Sequence, residues 1–197
     1  MRTVFQRVAP LGLAVIVASN CGPPPEPPGP GEARGLIPDL RGSTVMVLPV
    51  QLKTGVPQDI LVDPELAHSL RTRGEGVSWI FPPELDDILR RSPGLQTQIR
   101  NLPVHVFLQA EVNRIGDPLF GHLVRMAGVM GANVALLPVE LSYGEAGAYL
   151  LSAALVEVRT GRVSWYGVLE GAPGEEGTPG ALASATEMLA RVILPFG

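Results

Sequence analysis

Few residues of this sequence have the types and the spacing that chemistry requires. The histidines His68, His105 and His122 are isolated and form neither the His-x-x-x-His nor the His-x-x-Glu pattern of a metal site. The sequence has no Gly-x-Ser-x-Gly elbow, so no serine is placed as the nucleophile of a triad. Adjacent Asp86 and Asp87 would point apart on a helix and could not share a proton. The sequence therefore predicts a protein that is not an enzyme and that holds no metal or cofactor.

The single cysteine, Cys21, is informative because of its position. One cysteine excludes an internal disulfide and a cysteine-based zinc site. It follows Val8–Ser19, an apolar run of 12 residues that is itself preceded by Arg2 and Arg7. A spanning helix needs about 20 apolar residues, so this run is too short for one and is typical of a secretory signal.

The residues around Cys21 resemble the lipobox of bacterial lipoproteins, in which the cysteine becomes the acylated first residue. Ala18 stands where Leu is usual, and Asn20 stands where Gly, Ala or Ser is usual. The resemblance implies that residues 1–21 are a signal peptide with its lipidation site, which would carry fatty chains such as palmitate. The alternative is ordinary secretion, with cleavage after Ser19 and Cys21 left as an incidental thiol.

A linker rich in proline and glycine is predicted over residues 22–42. In its first part, Gly22–Gly35, Ala33 is the sole aliphatic residue, so this tract cannot bury a core. Such tracts favour extended polyproline II at about 3.1 Å per residue, which gives a stalk on the order of 40 Å. We interpret the tract as a tether between the membrane and a folded domain. The other interpretation is a proline-rich ligand for a partner.

The charge balance limits the partners. Without Arg2 and Arg7 the chain has 13 basic and 19 acidic residues, a net charge of −6. An acidic chain with no basic stripe argues against nucleic acid and against electrostatic docking on anionic lipid. Hydrophobic residues make up 46% and aromatic residues only 5%, so the core must be largely aliphatic.

Residues 43–197 predict one layered α/β domain with a mixed β-sheet and a C-terminal hairpin followed by a helix. Apolar runs predict strands at Ser43–Val50, Val77–Phe81 and Val134–Leu141, where Pro138 marks an edge or a bulge. Alternation after Val104 predicts a further edge strand. Helices are predicted to begin at the following dipeptides, which suit a cap and a first turn: Asp63-Pro64, Pro82-Pro83, Asp117-Pro118 and Thr178-Pro179.

The predicted hairpin spans Tyr149–Glu170, with Thr160 and Gly161 as its two-residue loop. That loop sets the following pairs, whose apolar side chains would share one face: Val158 with Val163, and Val156 with Trp165.

This order of elements, with GANV at residues 131–134 and VEVRTGRVSW at residues 156–165, resembles the periplasmic domain of three envelope groups. They are the amino-terminal domain of the Tol-system translocation protein, the lipoprotein activators of penicillin-binding proteins, and the curli-secretion lipoproteins. Asn133-Val134 replaces the Asp-Tyr pair of those families, and Glu157 stands where Asp is common.

The resemblance implies a non-catalytic lipoprotein, held at the outer membrane by its anchor and facing the periplasm. It would be an interaction or regulatory module for an envelope assembly, with a cell-wall synthase as one candidate partner. The alternative is a periplasmic binding domain for a small envelope ligand such as a glycan fragment. Trp79, Phe81, Phe120 and Tyr166 are the candidate partner surface, and core packing is their other interpretation.

Overall fold

The computed structural model describes residues 28–95, 97–104 and 113–195. The predictions for the signal peptide and for Cys21 lie outside these residues. So do His105 and most of the alternating segment after Val104.

A six-stranded sheet with the strand order β1-β6-β5-β4-β2-β3 organises the domain. In chain order the elements are β1 Ala33–Gly35, β2 Thr44–Val47, α1 Val62–Arg73, β3 Ser78–Ile80, α2 Pro82–Arg90, α3 Leu119–Met130, β4 Val134–Tyr143, β5 Tyr149–Glu157, β6 Arg162–Glu170 and α4 Pro179–Ile193. Strand β2 is parallel to β3 and β4, whereas the other neighbours are antiparallel. The predicted fold class, a mixed-sheet α/β domain ending in a hairpin and a helix, is confirmed.

Helices cover both faces of the sheet. The buried residues of α1 and α4 pack on one face, which we call the α1/α4 core, and those of α2 and α3 form the α2/α3 core on the other. Along β2, Val45 and Val47 enter the α1/α4 core while Met46 enters the α2/α3 core. This double burial explains why the strand is a continuous apolar run and does not alternate with polar residues.

Residues at the start of β4 tie it to β2. Gly131 ends α3 with a φ of +67°, a left-handed conformation that glycine adopts readily. The Asn133 side chain then accepts a hydrogen bond from the Thr44 N–H at 2.9 Å, and the Asn133 N–H donates to the Thr44 carbonyl at 3.0 Å. An aspartate at position 133 would supply the same acceptor oxygen for this bond.

Pro138 lies at an irregularity in β4. The register against β5 shifts between Pro138 and Glu140, which confirms the predicted bulge. Because β4 lies between β5 and β2, the proline is not on an edge strand. A bulge tolerates the missing N–H of proline inside a sheet.

The predicted two-residue hairpin loop is wrong. Strand β5 ends at Glu157 and β6 begins at Arg162, so four residues form the connection. Gly161, at a φ of +71°, donates its N–H to the Glu157 carbonyl at 2.9 Å and closes this wider turn. The Thr160 hydroxyl donates to the Glu157 carboxylate at 2.9 Å, and this bond lowers the pKa of Glu157.

The predicted pairing in the hairpin is also wrong, because β6 contains a bulge. Val156 pairs with Val163 and Leu155 pairs with Trp165, which leaves Ser164 as the extra residue. The Ser164 hydroxyl donates to the Leu155 carbonyl at 3.1 Å. Trp165 is therefore turned into the α1/α4 core, while Val156 and Val163 pack in the α2/α3 core.

Strand β1 lies inside the segment predicted as linker. It pairs with β6, where Ala33 faces Gly167 and Gly35 faces Trp165. Leu40, also within the predicted linker, is buried in the α1/α4 core. The folded part of the chain therefore begins before residue 43.

Replacing Gly35 by alanine is expected to destabilise the domain by more than the same change at Gly42. Both glycines have positive φ angles, +85° and +72°, and a side chain in that conformation costs about 1–2 kcal/mol. A methyl group on Gly35 would also lie 2.2 Å from the Ser164 carbonyl oxygen, whereas one on Gly42 meets nothing within 4 Å. Urea denaturation of the two variants measures the difference, and equal losses would contradict the pairing of β1 with β6.

Candidate functional site

Strand directions define two ends of the domain. Strands β2, β3, β4 and β6 all point the same way, so their carboxyl termini lie at one end of the sheet. The chain enters β1 at this end, because the Gly31 N–H donates to the carbonyl of Val168, near the end of β6, at 2.8 Å. We call this end of the sheet the entry end.

A groove of about 660 Å³ lies at the entry end, between the segment after β2 and the first turns of α1 and α2. We call it the entry groove. Its lining is polar and apolar in about equal parts, and its apolar part includes Leu52, Ile60, Leu61 and three prolines. In open α/β sheets the carboxyl ends of parallel strands are the usual place for a binding site.

Two smaller cavities continue the entry groove around α2. A cavity of about 510 Å³ shares Asp86 and Arg100 with it. Another of about 250 Å³ shares Asp63, Pro64 and Pro83 with it. The three concavities are therefore contiguous along their shared residues.

Asp63 fixes the wall of the entry groove. The sequence predicted that it caps α1, but the helix begins two residues earlier, with Leu61 at the cap position and no side-chain cap bond. The Asp63 carboxylate instead accepts the Val50 N–H at 2.8 Å and lies 3.4 Å from the Arg100 guanidinium. It thus joins the chain after β2 to α1.

The polar groups of the entry groove are poorly suited to an anion. Pro82 and Pro83 supply no N–H to the first turn of α2, and Pro64 supplies none to α1. An anion site at a helix N-terminus depends on such N–H groups. The amides of Gln51 and Gln58 are also engaged, since each donates at 3.1 Å to a carbonyl two residues earlier in the chain.

Asp86 and Asp87 point apart, as the sequence predicted. Asp87 is paired with Arg90, one turn later on α2. Asp86 is partly buried and lines both the entry groove and the 510 Å³ cavity. Among residues 28–95, 97–104 and 113–195, no hydrogen bond or ion pair involves its carboxylate.

The structure divides the predicted aromatic surface between the two faces of the sheet. Trp79 and Phe81 stack with ring centroids 6.0 Å apart, beside the α1/α4 core, and Phe81 is buried in it. Phe120 and Tyr166 pack against the α2/α3 core, where burial raises the pKa of the Tyr166 phenol. The four side chains thus do not form one continuous patch, and their role in partner binding stays a prediction.

His68 and His122 lie apart from the entry groove lining. His122 has its Nδ1 atom 3.0 Å from the Thr97 hydroxyl and 3.2 Å from the Arg125 guanidinium. His68 lies in α1 and contributes its carbonyl to a bond from Thr72. In the part of the chain that the structure describes, no three acidic, cysteine or histidine residues group as metal ligands would.

A second pocket, of about 320 Å³, lies at the opposite end, where α1 and α4 finish beside residues 37–41. Its floor includes Ile37, Leu40 and Ile193. At its rim Arg41 donates from Nε to the Asp39 carboxylate at 2.9 Å, which lowers the pKa of Asp39 to about 2.

Helices on both faces of an open mixed sheet define a layered α/β domain. Several solved structures are similar to this chain. One is the LpoB C-terminal domain from Salmonella enterica, with 18% identity, coverage of 68% of this chain and 84% of that chain, and a TM-score of 0.46. Another is the PelC dodecamer from Paraburkholderia phytofirmans, with 17% identity, coverage of 83% and 95%, and a TM-score of 0.44.

Lipoprotein GNA1162 from Neisseria meningitidis is also similar, at 15% identity, 78% and 94% coverage, and a TM-score of 0.45. The predicted resemblance to envelope lipoproteins is confirmed in that a lipoprotein is among the structures similar to this chain. No protein-family model matches the chain, and no curated protein does. Among the described residues, no helix has both the length and the apolar character to cross a bilayer.

Replacing Asp63 by alanine is expected to lower the free energy of unfolding by about 1–3 kcal/mol, because it leaves the buried Val50 N–H without an acceptor. Asp63→Asn is the matched control, since its amide oxygen can still accept that bond. Chemical denaturation measures both variants. If asparagine costs as much as alanine, the charge pairing with Arg100, and not the bond to Val50, is the important contact.

Proposed function

We propose that this protein is a non-catalytic, lipid-anchored component of the cell envelope that acts as an interaction or regulatory module for an envelope assembly. A cell-wall synthase is one candidate partner. The observation that carries the proposal is Leu61, a large apolar side chain that is 73% exposed at the margin of the entry groove.

The position of Leu61 makes its exposure unusual. It occupies the N-cap of α1, where Ser, Thr, Asp or Asn would satisfy a free N–H and where leucine satisfies none. Contiguous apolar surface left in water is typical of a protein interaction site, and Leu61 shares the groove lining with Leu52 and Ile60, which are partly exposed. A leucine at this position is explained if a partner covers it.

A small polar ligand is supported less well by the entry groove. A glycan fragment offers hydroxyl groups and needs free polar partners. The amides of Gln51 and Gln58 are bonded to backbone carbonyls, and Asp63 is bonded to Val50 and Arg100. Among the described residues, Asp86 is the one lining carboxylate without a hydrogen bond or ion pair, and the apolar part of the lining is proline and aliphatic side chains, which suit a protein segment.

The proposed anchor is the acylated thiol of Cys21, in an outer-membrane lipoprotein facing the periplasm. Nine residues separate Cys21 from Gly31, whose N–H is bonded to β6. At about 3.1 Å per residue in polyproline II, this length permits a separation of roughly 28 Å between the anchor and the domain. The tether is therefore shorter than the linker predicted from the sequence.

The anchor predicts incorporation of fatty acid at one residue. Cells grown with an alkyne fatty acid are expected to label the wild-type protein and to leave Cys21→Ser unlabelled, because an oxygen replaces the acylated sulfur. Gel fluorescence after click chemistry measures the label. Unlabelled wild-type protein, or a labelled serine variant, would refute lipidation at Cys21.

The interaction module predicts contact with a protein at the entry groove. A photo-crosslinking residue at position 61 is expected to give a discrete adduct with an envelope protein in living cells, identified by mass spectrometry. Position 159 is the control, since the Arg159 side chain is 89% exposed in the hairpin loop at the opposite end. Adducts that are absent from position 61, or identical from both positions, would contradict the proposal.

A rise in melting temperature with soluble wall fragments, together with no protein adduct, would favour the small-ligand alternative, since a ligand that binds the native state stabilises it.

A further inference from the structure

We propose that the concavities around the first turn of α2 bind an extended segment of a partner protein, and that Asp86 pairs with a basic side chain of that segment. The inference rests on the proposed function of the entry groove and adds to it the chemistry of the occupant.

The charges around α2 single out Asp86. Three arginines line these cavities, but Arg100 lies 3.4 Å from the Asp63 carboxylate, Arg71 lies 3.8 Å from the Glu84 carboxylate, and Arg90 is paired with Asp87. Within the described parts of the chain, Asp86 is the acidic residue of these cavities that is left without such a pair. A bound segment that brings one positive charge would neutralise it.

The surroundings of Asp86 strengthen such a pair. The carboxylate is partly buried and lies between two concavities with apolar lining, including Leu89 and Ile99 on one side and Pro82 on the other. A charge-assisted bond that a bound segment shields from water contributes more than an exposed surface pair. The same carboxylate, with Asp63 nearby in the lining, disfavours an acidic segment or a phosphate.

The shape favours an extended segment over a single side chain. The 510 Å³ cavity, the entry groove and the 250 Å³ cavity share lining residues and follow α2 from one side to the other. Pro64, Pro82 and Pro83 form a rigid wall that loses little conformational entropy when covered. An extended chain can place apolar side chains in successive cavities, with its basic residue between them at Asp86.

Peptide binding to the mature, full-length chain in detergent micelles tests this inference. The probe is a fluorescent eight-residue peptide of proline and leucine with one central lysine, blocked at both ends, and its control has norleucine in place of lysine. Fluorescence anisotropy is measured with the wild type, Asp86→Asn and Asp59→Asn. Asp59→Asn is the matched control, because it removes one carboxylate that is exposed and lines none of the three cavities.

The lysine peptide is expected to bind Asp86→Asn about tenfold more weakly than the wild type and to bind Asp59→Asn within about twofold of it. The norleucine peptide is expected to bind all three proteins equally weakly. Equal effects of the two substitutions, an unchanged affinity for Asp86→Asn, or no binding of the lysine peptide would each overturn the inference. If the crosslinking residue at position 61 still gives a protein adduct when the peptide test fails, the inference about Asp86 is wrong and the proposed function is retained.

Discussion

Burial of the central strands on both faces is the constraint on which the rest of this structure depends. Strands β2, β4 and β5 are almost wholly inaccessible to water, so their backbone groups must be paired within the sheet. Parallel neighbours also require long crossovers, which the helices provide. Helices α1 and α2 follow successive strands but cover opposite faces, and the entry groove is the space between their first turns. Its position is thus a consequence of the chain path.

Features encoded by neighbouring residues could be predicted from the sequence. The apolar run of β2, the proline-led start of α2 and the bulge at Pro138 each depend on a few adjacent side chains, and the structure contains all three. Strand β1 could not be predicted, since Ala33–Gly35 has no apolar pattern and exists only through its pairing with β6. The predicted hairpin register was wrong because one inserted residue, Ser164, reverses the side-chain alternation that follows it.

The candidate site was less predictable than the fold because its properties come from distant residues. The spacing of Asp86 and Asp87 showed that they diverge, but not that one lines a groove while the other pairs with Arg90. Asp63 had the type and place of a helix cap, yet it bonds to Val50 and contacts Arg100, 37 positions away. Aromatic residue type alone likewise could not show that Phe81 and Phe120 lie on opposite sides of the sheet.

The two outermost strands, β1 and β3, have only three residues each. An exposed edge strand can pair with a strand of a neighbouring molecule, and long, flat edge strands do so most readily. Edge strands this short offer few backbone groups for pairing between molecules, which disfavours sideways polymerisation of the domain through its sheet.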